Sequence, residues 1–301
     1  MTTNNYNFVQ STRINKFFFT RIVNAEIKKI INKSDKDIIN LTNHKIYKQS
    51  PILSKFLNKL KLSLNDNGLI ILNLDRDNEF NQYEKKKIYM VIGIFLGKLM
   101  RQNSSNEILV DVVDKGKNLK EGARYHESNA YGNLHTDSPQ WKITPRIVGL
   151  LCLKKAKKGG DTILVNANEL VKFSVQSENK HYKNMLKKYH FDKRGDITRG
   201  EKETTFAPIL KVNKNQIQFR YLRDYIETGH VKKKFILNKS REKTLDFIDN
   251  YLSNKKNQIR IKLVNNEVIL FCNHYLVHGR SKFEEYKDSK KKRHYLRLWI
   301  R

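Results

Sequence analysis

Apolar positions recur three and four apart through the first part of the chain, most clearly in IVNAEIKKIINK and SPILSKFLNKLKLSL. That spacing lines one face of a helix, so residues 12–64 are predicted to be mostly helical. Ser50-Pro51 reads as a helix start, since proline in the first turn gives up no hydrogen bond. GLIILNLD (68–75) breaks the rhythm, and a short unbroken apolar run predicts a buried strand. A helix from about Gln82 to Met100 follows. Beyond it the pattern turns to short β-rich segments: IVGLLCLKKA, DTILVNA, FAPILKVNKNQIQFRYL, QIRIKLVNNEVILFCN and HYLRLWIR. GG, VNK and VNN turns separate them, and one helix, about Ser240 to Ser253, is predicted to interrupt them. Helices first and strands later predict an α+β chain, an α-decorated β-sandwich or jelly roll.

Composition narrows the picture. With 301 residues, 39% hydrophobic and 10% aromatic, the chain can fold into one large domain or two small ones. Thirteen glycines and four prolines are too few for a long flexible linker, which favours one domain. The opening MTTNNYNFVQSTRINK lacks a charged region followed by an apolar core, so no secretory signal is expected. YMVIGIFLGKLM (89–100) is too short to span a bilayer, and no membrane association is expected. The two cysteines, Cys152 and Cys272, each sit in an apolar run. They read as small buried thiols in a reducing compartment, with the cytoplasm as the expected location.

The formal net charge of +30 invites a nucleic-acid partner, but its distribution argues against one. Lysine supplies 44 of the 60 basic residues, in scattered runs such as EKKKIY, KKAKKGG, VKKKF and DSKKKRH. Heavy asparagine use alongside fits AT-rich codon bias. Zinc-finger spacing, an RNP-like aromatic motif and an arginine stripe are all absent from the sequence. The lysines read as solvated faces, and the expected partner is a small molecule.

The chemistry starts at NLHTDSPQW (133–141). His135 and Asp137, two apart at a strand end, point to one side. FCNHYLVHGRSKF (271–283) offers a further histidine, His278, with His274 four residues before it as a competitor. Two neutral imidazoles and a carboxylate on one face of an octahedral ion leave three positions open, which suits non-heme Fe(II).

With LHTD, KKGGDT, NHYLVHGRSKF and RHYLRLWIR in that order, the chain resembles the taurine dioxygenase/TfdA-like (clavaminate synthase-like) family of Fe(II)- and 2-oxoglutarate-dependent dioxygenases. The resemblance covers roughly residues 65–301 and implies a double-stranded β-helix, or jelly-roll, core with N-terminal and flanking helices. Residues 1–64 then form a helical extension packed on the 65–301 oxygenase domain, one structural domain overall. By position, His135, Asp137 and His278 resemble the iron ligands. Thr162 and Arg293 resemble the pair that holds the distal carboxylate of 2-oxoglutarate, and a planar guanidinium suits that task. Arg297 resembles an arginine beside the oxoacid or the substrate carboxylate. Arg280 reads as support for His278, and Asn273 or Asn133 as orienting a ligand or touching substrate.

The resemblance implies hydroxylation of an unactivated C–H bond, with 2-oxoglutarate and O2 consumed and succinate and CO2 released. Halogenating relatives carry a small residue where Asp137 stands, so chlorination is not expected. Tyr131, Asn133 and Arg223 are the candidate substrate contacts, with Arg220, Asp224 and His230 nearby; the set suits an amino acid or other small carboxylate. Two other readings stand beside this one. In one, the same centre acts on nucleic acid or protein through the basic surface. In the other, the fold is a non-catalytic binding protein.

Overall fold

The computed structural model describes residues 14–114, 132–194, 202–214 and 216–301. The chain opens with β1 (Asn15–Phe18), α1 (Arg21–Ile31), α2 (Asp35–Ile39), α3 (Asn43–Gln49), α4 (Pro51–Asn67), β2 (Leu69–Asn73) and α5 (Gln82–Leu96). Next come β3 (Leu109–Val112), β4 (Gly132–His135), β5 (Ile147–Lys154), β6 (Lys158–Gly159) and β7 (Thr162–Asn166). An outer layer follows: α6 (Ala167–Ser177), α7 (Asn179–Met185), β8 (Lys188–Asp192), β9 (Thr204–Pro208), β10 (Leu210–Asn213), β11 (Gln216–Phe219), α8 (Arg223–Lys232) and α9 (Lys239–Ser253). The chain closes with β12 (Gln258–Ile261), β13 (Glu267–Cys272), β14 (Leu276–Arg280), β15 (Phe283–Glu284) and β16 (His294–Ile300).

Two sheets carry the fold, a large one in the order β1-β2-β13-β5-β16-β3 and a small one in the order β12-β7-β14-β4. Strands distant in sequence lie side by side, which makes the pair of sheets a jelly roll. Side-chain alternation sorts the core into layers. On β2 and β13, Leu69, Ile71, Ile269 and Phe271 turn inward and meet Leu164, Ile261 and Leu276 of the small sheet. Their neighbours Ile70, Leu72, Val268 and Leu270 turn outward and join one cluster with Ile27, Ile30, Leu57, Leu60, Ile88 and Phe95 of the helices. Ile163, Val165 and Val277 face the outer layer, against Leu170, Ile226, Leu245 and Ile248. Both faces of these central strands are therefore covered, which is why LIIL and VILF are unbroken apolar runs. Each such side chain contributes about 1.5–3 kcal/mol by leaving water.

Three local expectations are corrected. Residues 15–18 form β1, a strand paired in parallel with β2, where the helical pattern was read through. The helix from Gln82 begins on an Asn81–Glu84 capping box but stops at Leu96 rather than Met100. Gly97 turns the chain there, because a Cβ on it would lie 2.4 Å from the Arg301 carbonyl oxygen. In the second half, α6, α7 and α8 join α9 where a single helix was predicted. They are short; α6 buries only Ala167, Asn168, Leu170, Val171 and Ser174. Pro51 does open α4 at its first turn, although the Ser50 side chain makes no capping bond.

The two cysteines are free thiols. Among the described residues, no helix is long and apolar enough to cross a membrane.

Candidate metal centre

β4 and β14 are antiparallel neighbours in the small sheet, and their register sets His278 directly opposite His135. Residues so paired bring their side chains close on one face. The imidazole centroids lie 4.5 Å apart, and the Phe271 ring packs 4.8 Å from His278. Asp137 lies just past the end of β4, on a turn where Ser138 has φ 51°. Its Oδ1 is 3.5 Å from His135 Nε2 and 3.8 Å from His278 Nε2. One donor atom from each of the three residues falls within 4.8 Å of the others. The competing His274 stays outside: its Nε2 meets the Thr144 hydroxyl at 3.3 Å.

Neighbours fix each member. Asn273 Oδ1 accepts from the Asp137 amide at 2.7 Å, while its Nδ2 donates to the Asp137 and Pro145 carbonyls at 3.2 and 2.9 Å. The Thr136 hydroxyl accepts from the Tyr221 amide at 2.9 Å, tying the same turn to the segment after β11. His135 Nδ1 lies 2.6 Å from the Asn133 carbonyl. A carbonyl only accepts, so Nδ1 carries a proton, and Nε2 is the ring nitrogen that faces the cluster. Burial, with His135 beside it, pushes His278 down to about 3, which keeps that imidazole neutral. Burial by itself would raise the Asp137 acid; Arg297, His135 and His278 reverse this and hold it far below the usual carboxylate range. Two imidazole nitrogens and one carboxylate oxygen are the donor set a facial divalent iron centre requires, so the residues fit that metal.

The other predicted residues divide. Thr162 is buried on β7, on the face it shares with Leu164, and so turns toward the space between the sheets. Arg293 is 3% exposed just ahead of β16, and its Nε and Nη1 find no hydrogen-bond partner among the described residues. Its guanidinium stands 3.8 Å from the Tyr295 centroid and 5.1 Å from that of Phe283. Gly160, at φ +75°, runs beside it; a Cβ there would lie 3.5 Å from Arg293 Nε. Arg280 shares the Phe283 ring at 4.6 Å. Burial, then the charge of Arg293, lowers Arg280 to about 9. The two cations share one aromatic ring, and the charge of Glu285 acts on both.

Arg297 turns instead to a carboxylate of the protein itself, with Nη1 3.3 Å from Asp137 Oδ1 and Nε donating to Gln102 Oε1 at 2.8 Å. Arg223, a candidate substrate contact, is engaged within the protein. Its guanidinium is taken up by Glu227, Asp246 and Asp249 at 2.7, 2.7 and 2.8 Å, an ion network that ties α8 to α9. Arg220 braces the turn after Asp137 through the Trp141 carbonyl at 2.8 Å. His230 is buried, with Nδ1 2.8 Å from the Ile226 carbonyl. Asn133 is exposed and serves the centre through its backbone. Tyr131 lies outside the described residues.

The sequence reading passed over Gln102 and Trp299. Trp299 donates its indole N–H to Asp137 Oδ2 at 2.7 Å. Period-two spacing from Arg297 marks its face, whereas nothing around Gln102 sets it apart. A surface cleft lined by Phe173, Phe247 and Tyr251 lies between α6 and α9 and contains no residue of the centre.

Comparison with known proteins agrees with this geometry. The family described as "Taurine catabolism dioxygenase TauD, TfdA family" matches residues 45–299. FR-33289 synthase of Streptomyces rubellomurinus is 27% identical over 226 residues, 72% of this chain and 64% of that protein. The matched stretch thus spans less than two thirds of that relative's length. Among solved structures, an asparagine oxygenase in complex with Fe(II), 2S,3S-3-hydroxyasparagine and succinate superposes with TM-score 0.71 at 13% identity, covering 95% of this chain and 93% of that one. The non-heme iron oxygenase OrfP, in complex with Fe and alpha-ketoglutaric acid, gives 0.69 at 11% identity with the same coverage. At such identities the likeness shows the fold.

Proposed function

Because the chain belongs to the taurine catabolism dioxygenase TauD, TfdA family, we propose that it is an Fe(II)- and 2-oxoglutarate-dependent hydroxylase of a small polar substrate, an amino acid or other small carboxylate. The observation that carries the reading is the meeting of His135, Asp137 and His278 donor atoms within 4.8 Å of one another. When bound, iron(II) with 2-oxoglutarate and O2 supplies the oxidising power that places a hydroxyl on an unactivated C–H bond, leaving succinate and CO2. His135 and His278 would hold the metal as neutral imidazoles, and Asp137 would supply the one anionic ligand. Asp137 also fills the position that a halide would need, which favours hydroxylation over chlorination.

Arg293 would take the distal carboxylate of 2-oxoglutarate, with Thr162 adding a hydroxyl donor. Its buried Nε and Nη1, without a hydrogen-bond partner among the described residues, support that role, and Arg280 adds a second positive charge beside it. The protein's share is orientation and exclusion of water. Two structural neighbours were solved with hydroxylated amino acids, 3-hydroxyasparagine and (3S)-hydroxy-L-Arg, which supports the amino-acid class for this chain. A small-molecule partner, rather than nucleic acid, completes the reading, and the free thiols Cys152 and Cys272 support a reducing, cytoplasmic setting.

The test is anaerobic. Purified protein given Fe(II) and 2-oxoglutarate should develop the weak visible charge-transfer band of the chelated oxoacid, and a screen of amino acids should then release succinate. No band from folded wild-type protein at saturating Fe(II) would overturn the reading in favour of a non-catalytic binding protein.

A further inference from the structure

We propose that Trp299 is a positioning residue: its indole N–H engages Oδ2 of Asp137, so that Oδ1 alone is offered to the metal. The inference rests on the metal-centre reading above and adds to it how the carboxylate is made to bind through one atom. Trp299 Nε1 donates to Oδ2 at 2.7 Å, whereas Arg297 Nη1 stands 3.3 Å from Oδ1. Donor and acceptor are both buried, with Trp299 4% and Asp137 3% exposed. A hydrogen bond to a charged oxygen in such surroundings is strong, and an unmade one is costly.

The strand supplies the arrangement. Tyr295, Arg297 and Trp299 alternate onto the same face of β16, and Tyr295 and Trp299 both join the core between the sheets. Trp141 packs edge-on against the indole, with centroids 5.3 Å apart and planes at 90°, and so limits its tilt. Gln102 steadies the other side. Its Oε1 accepts from Arg297 Nε at 2.8 Å, and its Nε2 donates to the Arg297 and Ile108 carbonyls at 2.9 and 2.6 Å.

A free carboxylate can chelate through both oxygens and so take two coordination positions. With Oδ2 engaged by the indole, Asp137 takes one. Three facial positions then stay open, the number that a bidentate oxoacid and O2 need. Trp299 thereby acts through Asp137 without touching substrate or cosubstrate.

The experiment uses the intact, metal-free chain with 15N-labelled tryptophan. The two tryptophans give two indole resonances, and Trp141→Phe identifies the one from Trp299. Titration with Zn(II) should move the Trp299 signal, saturating near one equivalent. In Trp299→Phe, affinity for Zn(II) and Co(II) should fall about 10–100-fold. The visible bands of the Co(II) form should weaken as the carboxylate swings into chelation. A Trp299 resonance unmoved by saturating Zn(II) would overturn the proposal. So would a folded Trp299→Phe protein with wild-type affinity and bands. Should that variant fail to fold, the wild-type titration decides alone. Wild-type protein that takes up neither metal would sink the metal-centre reading itself, and this proposal with it.

Discussion

Asp137 and Arg293 are both buried charges, and the contrast between them separates the two halves of the site. Burial opposes any charge unless a partner offsets it. Asp137 has such partners in Arg297 and Trp299, so its charge is native to the ligand-free fold. Arg293 has aromatic rings around it and no carboxylate on Nε or Nη1 among the described residues. Burial works against its charge, with Tyr295 and Glu285 offsetting this only in part, which fits the proposed role of receiving an anion. The two therefore respond differently to removal. Arg293→Met should leave the ligand-free protein as stable as wild type, or stabilise it by about 1–3 kcal/mol, because a buried cation is replaced by an apolar chain of similar length. The same change should weaken 2-oxoglutarate binding at least about 100-fold, which corresponds to roughly 3 kcal/mol for a lost two-pronged contact. Urea unfolding and calorimetric titration measure the two quantities separately. A variant that loses stability yet keeps its 2-oxoglutarate affinity would show that Arg293 is a structural residue.

Among elements, the pairing of α8 with α9 gives the clearest case of a structural reading set against a functional one. Arg223 opens α8 and reaches three carboxylates on its own helix and on α9. Those partners are substantially exposed, so the network contributes about 1 kcal/mol at low salt, less as salt rises. Arg223→Ala should lower the thermal midpoint by a few degrees and leave the KM for the amino-acid substrate unchanged. A KM raised tenfold with the midpoint unmoved would return Arg223 to the site. The RYLRDY segment leaves both readings open, because a sequence gives the type of a side chain but not its direction. Other element-scale features were readable. The unbroken apolar runs of β2 and β13 followed from burial on both faces, and α9 was found within a residue of its start. β1 was hidden because four residues, NKFF, cannot establish a period of two beside a strong helical rhythm. Short helices such as α7, NKHYKNM, bury too few apolar groups to announce themselves. The approach of His278 to His135 depends on β14 lying beside β4. Strand order of that kind is a property of the whole topology, and the motif order along the chain, not any local pattern, was what pointed to it.

Over the whole molecule, buried neutral histidines and a large positive charge act together when the pH falls. His274 is pushed down to about 4 by burial and by Arg146 and Arg220. His181, His190 and His230 are also lowered from 6.5, each chiefly by burial; Glu178 opposes the shift at His181, while Lys233 adds to it at His190 and Arg241 at His230. The sign follows from proton counting. Between pH 6.5 and the lower folded values, the unfolded chain binds protons that the native chain refuses. The stability these groups contribute is therefore complete above pH 6.5 and is lost as the pH drops toward 4, at up to about 1.4 kcal/mol per pH unit for each proton. The net charge of +30 works in the same direction, because each added proton increases self-repulsion in the compact state. The two contributions part under salt. Repulsion between surface charges is screened at a few hundred millimolar, whereas buried imidazoles are little affected. Thermal melts of the chelator-treated protein should show a midpoint that falls from pH 7.5 to pH 5 in both low and high salt, with the smaller fall in high salt. A midpoint that is flat with pH at high salt would assign the whole effect to surface charge and remove the buried histidines from the account. Restoring Zn(II) at pH 7.5 should raise the midpoint further, since binding to the native state alone adds stability as the logarithm of metal concentration over Kd.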